Sequence, residues 1–250
     1  MTQRYKDKLL SELTEVDLFI GTNQSPYVLE KLSQGERLFL DDKQYRPLTS
    51  LQQRREDAFA YLKIAEGCDN RCSYCMIPYI RGPFVSRTIK DIVKEAKHLV
   101  SGGVKELILI AQDTSRFGID RGSLELSELL KALQEIKGLH WIRLQYLYVD
   151  VVDEKLLKTI RDLDKVVPYF DMPLQHINDE VLKRMNRHTT GESTRGLMKK
   201  IREILPDAIL RTTLITGLPG ETEEAHQELL DFIEETKFDR LGVFRYSDEE

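Results

Sequence analysis

The sequence predicts an α/β protein built around a parallel sheet, and three observations carry that prediction. From about residue 57, short runs rich in β-branched and aromatic residues recur along the chain. Amphipathic helical stretches separate them, and Gly, Pro, Asp or charge clusters punctuate the joints. Strands joined in this way pair in parallel through right-handed crossovers. The sheet then either opens as a doubly wound fold or curls into a barrel, and in both forms functional groups gather at the carboxyl ends of the strands.

In chain order, strands are expected at 61–67 (YLKIAEG), 106–111 (ELILIA), 141–149 (WIRLQYLYV), 167–172 (VPYFDM), 209–217 (ILRTTLITG) and 240–246 (RLGVFRY). The stretch 88–101 places Ile89, Ile92, Val93, Ala96 and Val100 on one helical face and stops at Gly102-Gly103. Further helices are expected at 123–136, 153–163, 178–185, 191–205 and 221–236. Asn178 and Thr222 suit N-caps, and Pro206 comes after the helix 191–205 as a terminator. Residues 1–56 read differently: a short helix at 6–13, a strand at 16–21, a helix at 26–32 and a polar stretch at 37–55 without clear period. That is too little to bury a core of its own, so it is expected to be an extension packed on the main unit.

With 250 residues, 41% hydrophobic and 32% charged, the chain can bury one substantial core. No apolar run approaches the roughly 18 residues that span a bilayer. The opening MTQRYKDKLLSELTEV is charged and lacks the apolar stretch of a signal peptide, so a cytoplasmic address is expected. A net charge of -5, from 37 basic and 42 acidic residues, argues against a basic face that coats nucleic acid, while leaving room for a structured substrate met locally.

The cysteines say more. There are 3, and Cys68, Cys72 and Cys75 fall within one eight-residue segment, CDNRCSYC. An odd, clustered set is a poor disulfide framework and suits metal binding. Thiolates serve zinc or iron–sulfur clusters. Structural zinc would need a fourth ligand, and none of His98, His140, His176, His188 and His226 stands at a zinc-finger spacing from the cysteines. A four-iron cluster on three thiolates leaves one iron without a protein ligand, where chemistry is expected. The cysteines come directly after the first strand; Gln112-Asp113, Gln175-His176 and 217–221 come after later ones, so polar groups from four units converge on one end.

The spacing Cys-x3-Cys-x2-Cys, with Tyr74 before the last cysteine, resembles the radical S-adenosylmethionine superfamily. The resemblance implies a partial (β/α)6 barrel holding a [4Fe-4S] cluster on Cys68, Cys72 and Cys75. Its open iron would chelate S-adenosyl-L-methionine, and an electron from a flavodoxin-type donor would cleave it to methionine and a 5′-deoxyadenosyl radical. Within that superfamily EGCDNRCSYCMIPYIRG, LILIAQDTSRFG, DMPLQHIND, RMNR and TLITGLPGETEE resemble the methylthiotransferases. AQDTSRFG, LQYLYV, DMPLQHIND and FRYSDEE resemble the branch acting on an aspartate of small-subunit ribosomal protein twelve more than the branch acting on tRNA adenosine. The resemblance implies 1–56 as the remnant of an N-terminal methylthiotransferase domain with its linker and 57–250 as the barrel. The second cluster and the TRAM domain of such enzymes are expected to lie outside this chain, so the fragment should not complete sulfur insertion alone.

Carried over residue by residue, the resemblance makes Gln112 or Asp113 the acceptor for the ammonium of S-adenosylmethionine, although Asp113 also suits an N-cap. Gln175 and His176 fall where the family contacts the ribose or methionine end; a lone histidine there also serves structure. Arg187 and Arg211 are candidates for the methionine carboxylate, or for pairing with a neighbouring acid. Gly217, in ITGLPGE, and Tyr246, with Phe244, are expected beside the adenosine; ordinary turn chemistry and core packing are their alternatives. A zinc-bearing scaffold without catalysis, and a folded but inactive module, are the rival readings.

Overall fold

Alternation of buried and exposed side chains shows how the strands are used. The structure, a computed structural model, describes residues 2–40 and 58–248. Most of the polar stretch 37–55, and with it the expected division at 56/57, lies outside the described residues.

The chain opens with α1 (Thr2–Tyr5), α2 (Asp7–Glu12), β1 (Phe19–Ile20), α3 (Val28–Ser33) and β2 (Leu38–Phe39). β1 and β2 pair in parallel, Phe19 opposite Leu38, and α1 packs on α4 (Ile77–Arg81), the short helix after the last cysteine. The main unit contains β3 (Phe59–Lys63), β4 (Ala65–Glu66), β5 (Val85–Ser86), α5 (Ile89–Ser101), β6 (Glu106–Ile110), α6 (Leu126–Gln134) and β7 (Trp141–Leu144). It continues through α7 (Glu154–Asp162), β8 (Tyr169–Asp171), α8 (Asp179–Arg184), α9 (Gly191–Ile204), β9 (Ile209–Thr216), α10 (Glu223–Thr236) and β10 (Arg240–Arg245).

The six long strands form two parallel trios, β3-β6-β7 and β8-β9-β10, joined between β7 and β8 by the parallel bridge Ile142–Val166. Of the two forms that the alternation allows this is the barrel, partial and unclosed as the resemblance implies. Ala60 and Leu62 of β3, Leu107 and Leu109 of β6, and Leu210 and Leu214 of β9 point outward and are buried against the helices. The intervening Phe59, Tyr61, Lys63, Arg143 and Arg211 face the other side and stay exposed or half-exposed. Helix starts match the expected caps: Asn178 Oδ1 accepts from the amides of Glu180 and Val181, and Thr222 Oγ1 from that of Ala225.

Three expectations need correction. The run 61–67 is not one strand: after Lys63 the chain leaves β6, and β4 pairs antiparallel with β5, aiming the cysteine loop across the barrel mouth. The run 141–149 ends as a strand at Leu144. Tyr146 adopts φ 60°, which breaks strand alternation, and Thr114 N donates to its carbonyl at 3.0 Å. β10 is exposed along its whole length, so Phe244, 63% exposed, is not core.

Candidate active site

The cysteine loop begins at Gly67, whose φ of 81° turns the chain away from β4. Cys68 N donates to Gly82 O at 3.2 Å, and the loop then folds back over the ends of β6 and β7. Asn70 Nδ2 donates to Asp113 Oδ2 at 2.9 Å in a buried contact. Ser73 N donates to Met185 O at 3.0 Å and ties the loop to the turn after α8.

Cys68, Cys72 and Cys75 line one cavity of about 150 Å³ with Tyr74, Gln112, Gln175 and Arg187, all seven expected from the sequence. Its wall is completed by Asn70, Ile77, Tyr146, Leu147, Tyr148 and Pro173. Sequence reasoning missed Tyr146, Leu147 and Tyr148 because it read 145–148 as strand, and it assigned no work to Asn70 between the cysteines, to Ile77 just after them or to Pro173. Repeated aromatic residues in LQYLYV were the available signal.

The polar atoms of this cavity are strongly conditioned. Gln112 Nε2 donates to Glu66 Oε1 at 3.3 Å, while Gln112 Oε1 is buried with no hydrogen-bond partner. Gln175 Oε1 is buried and unpartnered as well, on a residue held at φ 71° by the pairing of its backbone with Thr213 and Ile215. Buried acceptors of this kind cost free energy unless a donor arrives. Arg187 Cζ lies 3.9 Å from the centroid of the Tyr148 ring, Nη2 donates to Pro173 O at 2.8 Å, and Nη1 approaches Cys72 Sγ at 3.9 Å. Its Nε and the Tyr148 hydroxyl have no partner. Burial pushes the Cys68 thiol up to about 11 and raises the Tyr74 and Tyr148 phenols, so all three are held protonated at neutral pH. A metal would displace the thiol proton, since thiolate is the ligand form.

Five expected residues are not on this wall. Asp113 is buried and committed to Asn70, to Ser115 Oγ at 2.5 Å and to Arg116 Nε at 3.2 Å. Burial raises its carboxyl despite the bonds from Ser115 and Asn70. It therefore braces the cysteine loop. Arg211 pairs with buried Asp171 at 2.5 Å, deeper in the barrel, which is the neighbouring-acid alternative. Gly217 N and Leu218 N both donate to Glu221 Oε2, in a turn just after β9. Tyr246 packs with Tyr74 and Ile215 on the small apolar cluster of Val181, Met185, Leu218 and Ala225. His176 is structural too: Asn178 N donates to its Nδ1 at 3.1 Å, which leaves Nε2–H facing Glu221 Oε1 at 3.4 Å, and burial lowers its basicity.

Among the described residues, no three side chains of His, Cys, Asp or Glu gather as ligands of a single metal ion. The donor set suits something larger. Three thiols, two bare amide oxygens and an arginine around one cavity fit a thiolate-held cluster beside a zwitterion with one ammonium and one carboxylate. The sequence profile of the radical SAM superfamily matches residues 62–233, the span that builds this cavity.

The chain belongs to the radical SAM superfamily.

Among curated relatives, it is 48% identical to the "Ribosomal protein uS12 methylthiotransferase RimO" of Alkaliphilus oremlandii (strain OhILAs), over 100% of this chain and 57% of that protein. It is 47% identical to the protein of the same name from Geotalea uraniireducens (strain Rf4), over 100% of this chain and 58% of that one. The chain thus spans less than two thirds of the length of these relatives. Among solved structures it resembles the radical S-adenosylmethionine methyltransferase TsrM from Kitasatospora setae, with cobalamin and a [4Fe-4S] cluster bound. The TM-score there is 0.61 at 18% identity, covering 75% of this chain and 36% of that one. Streptococcus suis SuiB bound to its precursor peptide SuiA superposes at TM-score 0.55 and 16% identity, covering 90% and 52%. At such identities the likeness concerns the radical SAM fold. No helix among the described residues is long and apolar enough to cross a membrane.

Proposed function

We propose that this chain is the radical SAM barrel of a methylthiotransferase acting on an aspartate of ribosomal protein uS12. The observation that carries the reading is the meeting of three thiols with the unpartnered oxygens of Gln112 and Gln175 and the buried Arg187 in one cavity. The match at 48% identity, over the whole of this chain and 57% of a uS12 methylthiotransferase, supports the choice of substrate.

In this reading Cys68, Cys72 and Cys75 hold a [4Fe-4S] cluster, which when bound supplies the electron for reductive cleavage of S-adenosylmethionine. The protein's own work is orientation. Gln112 and Gln175 accept from the ammonium, and Gln112 presents its oxygen because Glu66 takes its amide hydrogen. Arg187 donates from Nε to the carboxylate while Pro173 and the Tyr148 face fix its plane. Leu147 and Tyr148, both buried, wall off water. The cluster reductant would be a flavodoxin-type donor, met in the cytoplasm. With 3 cysteines committed to one cluster, the chain holds none for a second. Sulfur would be drawn from a cluster carried elsewhere in the enzyme.

The test is anaerobic reconstitution with iron and sulfide, then addition of dithionite and S-adenosylmethionine, with 5′-deoxyadenosine as readout. Cluster-dependent 5′-deoxyadenosine, lost in Cys72→Ala, is expected. One zinc and no bound iron–sulfur cluster would overturn the proposal.

A further inference from the structure

A second cavity of about 360 Å³ adjoins the cysteine cavity. It is lined by Lys63, Ile77, Ile110, Ala111, Gln112 and Tyr146, three of which the two cavities share. Its lining is apolar apart from Gln112, the Tyr146 hydroxyl and one full charge, the Lys63 ammonium. Lys63 ends β3, opposite Ile110 of β6, and faces the inside of the barrel.

The charges behind that ammonium do not cancel. Glu66, 4% exposed, takes Lys63 Nζ on Oε2 at 2.5 Å and Arg81 Nη1 on Oε1 at 3.3 Å. Among the described residues it is the carboxylate that either cation pairs with, so two positive charges share one negative charge. The third contact on Glu66, from Gln112, is neutral. An ammonium has three donors and no acceptor, and Glu66 occupies one of them. Lys63 is about half exposed, with donors left for a second partner. A local surplus of one positive charge beside an apolar cavity attracts an anion. In the proposed seating Gln112, Gln175 and Arg187 meet the ammonium and carboxylate of S-adenosylmethionine, and Lys63 is not on the cysteine cavity's wall.

We infer that Lys63 is a specificity-determining residue that pairs with the side-chain carboxylate of the polypeptide substrate, inside the apolar cavity next to the cysteine site. The inference rests on the proposed uS12 reading for the presence of an aspartate at the reacting position. Arg81 and Glu66 position Lys63: Glu66 anchors its amine, and Arg81 keeps that anchor from neutralising it.

The experiment compares two fluorescently labelled uS12 loop peptides, one with the target aspartate and one with asparagine there. Binding is read by anisotropy on the full 250-residue chain, reconstituted anaerobically with S-adenosylmethionine present. The unmodified chain is expected to favour the aspartate peptide by about tenfold or more, as suits a charge-assisted contact. Lys63→Met should bring the ratio close to one, and Lys63→Arg should restore most of it. A preference for aspartate that survives in Lys63→Met would overturn this inference and leave the uS12 reading standing. Equal binding of the two peptides by the unmodified chain would overturn the choice of an aspartate substrate, and this inference with it.

Discussion

The carbonyl of Arg71 accepts a hydrogen bond from Asn186 Nδ2 at 2.8 Å, and both residues hold left-handed backbone, at φ 49° and 53°. Neither is glycine, so each conformation carries strain that its surroundings must offset. The contact lies beside the Ser73–Met185 bond and latches the cysteine loop to the turn that carries Arg187. Asn186→Val should destabilise the protein by about 1–3 kcal/mol, because a β-branched residue tolerates positive φ poorly. Asn186→Gly should recover most of that loss in urea unfolding. Equal loss in both would mean that the latch, and not backbone strain, is what matters.

Gly67 has φ 81°, and a Cβ there would collide with the carbonyl oxygen of Pro83. Gly217 has φ 79° but open space around the same atom. Gly217→Ala should therefore cost about 1–2 kcal/mol from backbone strain alone. Gly67→Ala should cost more and lower iron uptake, since the collision is with backbone at the mouth of the cysteine loop. Thermal unfolding and iron analysis on both variants check the ordering.

Gln112→Leu and Gln175→Leu each remove a bare acceptor without enlarging the cavity. Each should weaken S-adenosylmethionine binding by about tenfold to a hundredfold, the scale of a charge-assisted hydrogen bond. Iron content should be unchanged. Equilibrium dialysis on the reconstituted protein measures both quantities, and unaltered affinity in either variant would remove that glutamine from the site.

Glu221 gathers the turn after β9: burial raises its carboxyl, but His226, Gly217 N and His176 outweigh that and hold it below the usual range. A depressed carboxylate stabilises the fold fully above its unfolded pKa, about 4.3, and the contribution fades as pH falls through the lower folded value. Unfolding free energy should thus drop as pH falls below the unfolded value of about 4.3, and Glu221→Gln should flatten that part of the profile. Identical profiles would show that other carboxylates govern acid stability.

How far each feature was legible in the sequence depends on how local its signal is. Three cysteines at fixed spacing, six β-rich runs and the caps at Asn178 and Thr222 are properties of short segments, and the structure keeps them, apart from the breaks within 61–67 and 141–149. The fate of Asp113 was not legible, because it depends on Asn70 arriving from 43 residues away. Arg211 stood beside a strand motif, yet its partner Asp171 comes from the neighbouring strand in register. Tyr148 was hidden for the opposite reason. A left-handed residue at Tyr146 interrupts a sequence that looks like uninterrupted strand, and nothing in LQYLYV marks where the break falls.

The seam between the two parallel trios has an energetic consequence. The cysteine loop and Gln112 belong to the first trio, and Gln175 and Arg187 come after β8 and α8 of the second. Between the trios run the Ile142–Val166 bridge, the bond from Leu147 N to Asp171 O and the Arg71–Asn186 latch. A ligand seated in the cysteine cavity touches both halves and acts as a staple. By mass action it stabilises them jointly by about 2.7 kcal/mol at a hundredfold excess over its dissociation constant. Amide hydrogens of β6 and β9 should then slow their exchange together, so that occupancy of one small cavity reads out as cooperativity of the whole barrel.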